Sequence, residues 1–510
     1  MEIFVTPRSG PSFSLQAFKF QIDFLMPTRP LASVLGLVAL SLTASLSLGA
    51  PQAGGPTPAK PLNFLFILAD DMGWNQTGYG GSTYYETPNI DRIAREGIRF
   101  TNAYCAAPIC TPSRAGILTG RYPARIHLTE YIPGDPYPWA KLRAPDEEKM
   151  LPLSEVTIPE MLKTKGYVSA QIGKWHLAKD YNYAPGRPGE PVSQGFDYEH
   201  LTVKPEDDSN PNGDAHHTVE ITNEAVKFLE ANRDRPFFCY VAHNAVHRPI
   251  MEHPDLIYKY REKPNADLAI NNPIMGAMIE RMDTGIGVLL KKLDELGLAE
   301  NTVVIFFSDN GGYDKLQAQD PLRGGKSMVY EGGVRVPLAI RWPGVVKPGT
   351  VSTVPVIGCD FFPTIGELAG VTSFERKIDG VSLVSLLRDG RPPARDALFW
   401  HYPHYHRFNY QPSGAILAGD YKLIEWYERS LTGESHPVSL FNIKNDLGET
   451  KDLADQMPDL ANQMWTRLKQ WRKDTGAQDM TINPNFDPKR ALFWSPKVDP
   501  DNPTALGQYY

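Results

Sequence analysis

Four short apolar runs, each followed at once by polar or charged residues, constrain the fold of this chain more than any other feature. Leu62–Leu68 runs into Asp70-Asp71, Tyr167–Ile172 into Lys174 and His176, Phe237–Val241 into His243 and His247, and Val303–Phe307 into Asp309-Asn310. Runs of this length with little polar content read as strands buried on both faces, the condition met in parallel sheets, though Tyr167–Ile172 carries Ser169 and Gln171. Helical patterns lie between them at Ile90–Glu96, Ile158–Thr164, Ala225–Ala231 and Met275–Leu296, and Val336–Ile340 reads as one more strand. The alternation predicts an α/β fold: a large, mostly parallel central sheet flanked by helices. Ligands of open α/β sheets bind beyond the carboxyl ends of the strands, so the polar groups that follow these runs should gather on one rim.

Past about Arg395 the pattern changes to short strand-like runs (Leu398–Trp400, Tyr421–Trp426, Ser439–Asn442) and one amphipathic helix around Leu460–Trp471. This reads as a smaller C-terminal α+β domain with a Pro/Asn/Asp-rich tail from Asp479. A length of 510 residues suits one large domain plus a small one. At the other end, Leu31–Leu48 is an uncharged apolar run preceded by Arg29 and closed by Gly49-Ala50, the order of a secretory signal peptide. The expected layout is therefore a start-site extension plus signal peptide at 1–50, a linker at 51–60, a main domain at 61–395 and the smaller domain at 396–510. The mature protein is expected to be secreted or periplasmic, without stable membrane association. A net charge of −7 and the lack of any Lys/Arg block argue against nucleic acid. Four dispersed cysteines do not make a disulfide scaffold or a CxxC metal site, though a Cys105–Cys110 pair stays open.

The segment with the most chemistry is Cys110-Thr-Pro-Ser-Arg114-Ala-Gly-Ile-Leu-Thr-Gly-Arg121. Cys110 precedes a Pro-Ser helix start, where unpaired N–H groups and the positive dipole end suit anionic oxygens, and Arg114 lies one turn in. Asp70-Asp71 are adjacent carboxylates that repel unless a cation or a proton intervenes. With Asp309 and Asn310 they form an all-oxygen set suited to a hard divalent metal such as Ca²⁺ or Mg²⁺.

At every specified position the Cys110 segment resembles the signature of the formylglycine-dependent (type I) sulfatases, C-x-P-S-R-x-x-x-L-T-G-R. Gly173-Lys174-Trp175-His176, His247 before Arg-Pro249, and Leu322-Arg-Gly-Gly-Lys326 are similar to further segments of that family, in its order. The resemblance implies an alkaline-phosphatase-like fold and hydrolysis of a sulfate ester. It implies that Cys110 is converted to 3-oxoalanine (formylglycine) by a separate maturation enzyme, and that one Ca²⁺ is held by Asp70, Asp71, Asp309, Asn310 and the modified Cys110. It further implies that Arg114, Lys174 and Lys326 bind the nucleophile and the sulfate, that Asp309 activates the attacking hydroxyl, that His247 binds sulfate and protonates the leaving oxygen, and that His176 accepts a proton from the diol. The leader and general layout resemble secreted bacterial arylsulfatases and polysaccharide sulfatases, which makes a sulfated carbohydrate the expected substrate.

For sugar binding, His401 and His404 in His401-Tyr-Pro-His404-Tyr-His406 are candidate rim residues, and the acidic stretch Glu206–Asp214 is a second. Two rival functions fit the same fold: a phosphate mono- or diester hydrolase of the superfamily, and an inactive protein that only binds sulfated glycans. The second predicts broken motifs, and none is broken.

Overall fold

The computed structural model describes residues 60–180, 186–407 and 411–493. The predicted leader at 1–50 and nearly all of the linker at 51–60 lie outside these residues. Among the described residues no helix is long and apolar enough to cross a membrane.

An eight-stranded mixed sheet forms the centre, in the order Thr350–Ser352, Ile98–Phe100, Leu338–Arg341, Thr302–Ser308, Asn63–Ala69, Phe237–Ala242, Val168–Gly173, Tyr198–Leu201. The last five in that order run parallel to one another, and Leu338–Arg341 pairs antiparallel with both of its neighbours. Asn63–Ala69 shows why both faces must be covered. Its side chains alternate, Phe64, Phe66 and Leu68 entering one apolar core and Leu65, Ile67 and Ala69 the other. Helices Thr218–Ala231 and Pro273–Glu295 contribute Ile221, Phe228, Met282 and Ile286 to the second core. Helices Cys110–Thr119 and Phe361–Leu368 serve the first core through Ile117, Leu118 and Phe361.

The runs expected to be strands are strands, within a residue or two. The short strands Ile98–Phe100, Tyr198–Leu201 and Thr350–Ser352 and the helix Pro254–Arg261 were not foreseen. Tyr198–Leu201 and Thr350–Ser352 are the two edge strands, and Ile98–Phe100 is an interior strand only three residues long; so few residues carry no periodic signal.

The smaller unit is a four-stranded antiparallel meander, Ala397–Tyr402, Ser413–Ala418, Tyr421–Trp426 and Val438–Asn442. Helix Pro458–Thr475 covers one face, burying Met464 and Leu468 against Ile416, Leu423 and Leu440. Its Trp471 stacks on Phe399 at 4.9 Å between ring centres. Ser413–Ala418 escaped the sequence reading because its small residues, Ser-Gly-Ala, do not look like a strand.

The meander is tied to the larger unit through Cys105 and Glu130. Trp400, fully buried, donates its indole N–H to the Cys105 carbonyl at 2.8 Å, and Tyr402 donates to Glu130 at 3.0 Å. Trp400→Phe leaves the Cys105 carbonyl without this donor. The expected cost is about 1–3 kcal/mol, read as a lower urea midpoint with an unchanged m-value.

Candidate active site

The polar groups after the parallel strands do converge. Register pairs Ala69 with Ser308, and Ala242 with both Leu68 and Gly173, so Asp70, Asp309, His243 and Lys174 all leave the sheet at the same end. Gly173 is required there. It has φ +101°, and a Cβ would lie 2.0 Å from the Ala242 carbonyl oxygen, the group that accepts from Lys174 N. Asp71 and His176 are also left-handed, at φ 63° and 61°. Non-glycine residues hold that conformation only where the surroundings impose it, a pattern concentrated at functional sites.

Cys110 is the first residue of helix Cys110–Thr119, whose opening turn no side chain caps. The thiol is buried, 3.6 Å from Asp70 Oδ1 and 3.8 Å from Asp71 Oδ1. Around it the charges interlock. Arg114 donates Nε to Asp309 Oδ2 at 2.8 Å and Nη1 to the Lys174 carbonyl at 3.0 Å, with Nη2 3.6 Å from Asp70. Lys174 reaches Asp70 Oδ2 at 2.6 Å, and Lys326 reaches Asp71 Oδ2 at 2.8 Å. Asn310 Nδ2 donates to Asp71 Oδ1 at 2.8 Å, and the Asp71 amide donates to Asp309 Oδ1 at 3.1 Å.

This arrangement shifts protonation in several directions. Burial raises the Asp71 carboxyl, but Lys326 and Lys174 outweigh it and hold it well below the usual carboxylate range. Burial and the neighbouring Asp70 lift Asp309, against the pull of Arg114. Burial raises the Cys110 thiol, so it is no ready thiolate. Burial and Lys174 push the His176 imidazole well below its usual range, and burial with Lys326 and Lys174 does the same to His247, which favours the neutral rings. Because carbonyl oxygens only accept, His176 Nε2, 2.8 Å from the Ile132 carbonyl, carries the ring proton. His247 Nδ1 carries its own, toward the Arg248 carbonyl. The basic nitrogens are therefore His176 Nδ1 and His247 Nε2, the latter 3.7 Å from Asp71 Oδ2.

Ligand atoms of Asp70, Asp71, Cys110 and Asp309 all lie within 4.8 Å of one another. The buried Asn310 Oδ1 has no hydrogen-bond partner among the described residues. Three carboxylates with an orphaned amide oxygen fit a hard cation coordinated through oxygen.

A cavity of ≈ 290 Å³ opens above Cys110, with His176, His247 and Lys326 on its walls. Tyr131, Lys204, Arg248, His406 and Arg407 also line it, and sequence reasoning did not select them as site residues. Two had a signal: Arg248 follows His247 directly, and His406 ends the histidine-rich stretch. Of the acidic stretch, Glu206 and Asp207 do line the cavity. His401 does not: its ring nitrogens bond Tyr427 Oη and the Gln478 carbonyl, fixing it inside the meander. His404 lines a neighbouring hollow instead, bonded to Thr129 Oγ1 at 2.8 Å. His243 is fully buried beneath the site, outside the cavity lining. All four cysteines are free thiols; Cys105 Sγ lies 3.3 Å from the Val334 carbonyl oxygen, not against Cys110.

The family model described as Sulfatase matches residues 62–371, more than half of the chain, including Asp70, Asp71, Cys110, Arg114, Lys174, His176, His247, Asp309, Asn310 and Lys326. The chain belongs to the sulfatase family. A second model, N-sulphoglucosamine sulphohydrolase, C-terminal, matches residues 325–474. This sulfatase is 32% identical to a sulfatase of Formosa agariphila, over 85% of this chain and 93% of that one. It is 30% identical to human arylsulfatase A, over 83% and 90% respectively. Among solved structures it is similar to Ps i-CgsB in complex with k-i-k-neocarrahexaose, with TM-score 0.69, 26% identity, and coverage of 87% of this chain and 99% of that one. The sulfatase is thus a sulfuric ester hydrolase on an α/β scaffold, with Asp70, Asp71, Asp309 and Asn310 available to a metal.

Proposed function

We propose that this sulfatase hydrolyses a sulfate ester on a carbohydrate, using a formylglycine made from Cys110 and a calcium ion held by Asp70, Asp71, Asp309 and Asn310. The observation that carries this reading is the convergence of three cationic side chains and four oxygen donors around Cys110, which with Lys326 lines one cavity. The glycan complex of the similar structure Ps i-CgsB supports a sugar as the bearer of the sulfate.

Formylglycine supplies a hydrated aldehyde, with one hydroxyl to attack sulfur and a second to let sulfate go; calcium supplies a fixed positive charge beside it. The remaining roles belong to the side chains. Arg114, Lys174 and Lys326 offset negative charge on the sulfuryl oxygens, the contribution that usually dominates such catalysis. Their pairing with Asp309, Asp70 and Asp71 fixes their direction in advance, so little reorganisation is needed as charge develops. His247 takes up a proton when the anionic substrate raises its basicity and hands it to the leaving sugar oxygen. His176, neutral with its basic Nδ1, accepts a proton from the nucleophile's second hydroxyl.

Mass spectrometry of the Cys110 peptide from the native host tests the nucleophile. A peptide lighter by the difference between cysteine and formylglycine supports the reading, and an intact thiol removes it. Calcium at 100 times its dissociation constant is expected to add about 2.7 kcal/mol of stability, reversed by chelation and read as a shift in Tm. A melting curve indifferent to both calcium and chelator refutes the calcium assignment.

A further inference from the structure

Thr111, the residue after the nucleophile, is fully buried and does not line the catalytic cavity. It fills the unspecified second position of the Cys110 signature. Near the start of a helix, a threonine hydroxyl ordinarily bonds the backbone of its own turn. This one crosses to two other segments instead. Thr111 Oγ1 donates to the His176 carbonyl at 3.0 Å and accepts from the Ile132 amide at 3.2 Å. The Ile132 carbonyl in turn accepts from His176 Nε2 at 2.8 Å. One hydroxyl thus closes a circuit of three bonds around His176, with the main chain held on one side and the imidazole on the other.

His176 needs such support. Its backbone is left-handed, at φ 61°, a conformation that a non-glycine residue keeps only where its neighbours impose it. Thr111 and Arg114 lie three apart on one helix and so share a face; Arg114 Nη1 holds the Lys174 carbonyl as Thr111 holds that of His176. The segment bearing Lys174 and His176 is therefore fastened at two carbonyls to the helix that begins with Cys110. The third bond sets the imidazole. With the Nε2 proton committed to Ile132, the ring keeps Nδ1 as its basic atom.

We propose that Thr111 is a positioning residue for sulfate release: its hydroxyl fixes His176 so that Nδ1 meets the second hydroxyl of the nucleophile. The inference rests on the formylglycine reading above, and goes beyond it by giving the residue at the signature's open position a role in one step. In that step Nδ1 takes the hydroxyl proton, and the O–H electron pair becomes the second bond of the re-formed carbonyl. The C–O bond to sulfate breaks, and its pair leaves on the sulfate dianion. Attack on sulfur comes earlier and draws on other groups.

The experiment compares mature wild type, Thr111→Val and Thr111→Ser on an aryl sulfate, with conversion of Cys110 counted by mass spectrometry in each. Thr111→Val keeps the shape and loses the hydroxyl. Its kcat is expected to fall by about 100-fold, the scale on which a misplaced catalytic group is felt, and its KM to fall in parallel, leaving kcat/KM within about two-fold of wild type. That pattern marks slow sulfate release, and stopped-flow should show a burst of one phenol per converted site before the slow phase. Thr111→Ser keeps donor and acceptor and should restore most of the lost rate. Thr111→Ala, which leaves room rather than a methyl between the two polar groups, takes the place of valine if that variant does not fold. A second readout needs no turnover. In ¹⁵N-histidine-labelled protein left unconverted at Cys110, the His176 ring should be a single Nε2–H tautomer in wild type and a mixture in Thr111→Val. A fall in kcat/KM as large as that in kcat, without a burst, overturns the positioning role and leaves the nucleophile standing. So does a serine variant as slow as valine, or an Nδ1–H ring in wild type. An intact thiol at Cys110 in protein from the native host overturns both.

Discussion

Cys110→Ser is expected to abolish multiple turnover of an aryl sulfate, lowering kcat by at least about 10⁴-fold, the scale on which loss of a nucleophile is felt. Serine offers one hydroxyl where formylglycine offers two, so it attacks once and has no means of releasing sulfate. Folding should hardly notice. The Sγ atom lies 3.6 and 3.8 Å from carboxylate oxygens, and a smaller hydroxyl can donate to the same atoms. A stability change below about 1 kcal/mol is expected from denaturant titration. A rapid-quench experiment should show at most one sulfate bound per enzyme before the reaction stops. Repeated turnover at the wild-type rate would sink the nucleophile assignment outright.

The largest effect on stability is expected far from the nucleophile, at Lys422. This lysine has no exposed surface, and it pairs with Glu331 at 2.9 Å and with Glu449 at 3.1 Å, both equally buried. Glu331 also meets Arg335 at 3.1 Å and accepts from Tyr104, while Glu449 Oε2 accepts from the Glu331 amide. Lys422→Met would strand two carboxylates in the interior, and breaking a buried pair from one side costs about 3–5 kcal/mol. The double variant Lys422→Met, Glu449→Gln should recover much of that loss. It removes one stranded charge, keeps an acceptor for the Glu331 amide, and leaves Glu331 its arginine. Equal denaturation midpoints for the single and double variants would mean that the ion pair with Glu449 is not what Lys422 contributes. The cluster also bears on the loop of Lys326. Arg323, in that loop, donates to the Glu449 carbonyl at 2.8 Å and lies over the Tyr330 ring, so loosening Glu449 is expected to loosen the lysine to which sulfate binding is assigned in the proposal.

Much of the site was legible because its residues follow strands. A fully buried parallel strand needs a continuous apolar run, and chain direction then dictates which end of the sheet the next residues occupy; Asp70, Lys174 and Asp309 could be placed on one rim by that logic alone. The helix start at Cys110 was equally local, written in Thr-Pro-Ser. Partners were not legible in the same way. That Arg114 would bond Asp309, and Lys326 Asp71, depends on approaches between segments 195 and 255 residues apart. Specificity was the least legible, since a histidine in an aromatic stretch looks the same whether it faces a cavity or a core. His406 reaches the cavity, His404 the adjoining hollow, and His401 is consumed by Tyr427 and Gln478.

By itself, then, the sequence determined the strands, the rim on which the chemistry gathers and the motif residues, because burial and chain direction act over a few residues at a time. Only the tertiary structure decided which charges pair, which histidine lines the cavity and that a second hollow lies beside the first. Those outcomes depend on how distant segments close against one another, and on whether a polar ring finds its partner in the interior or at the surface.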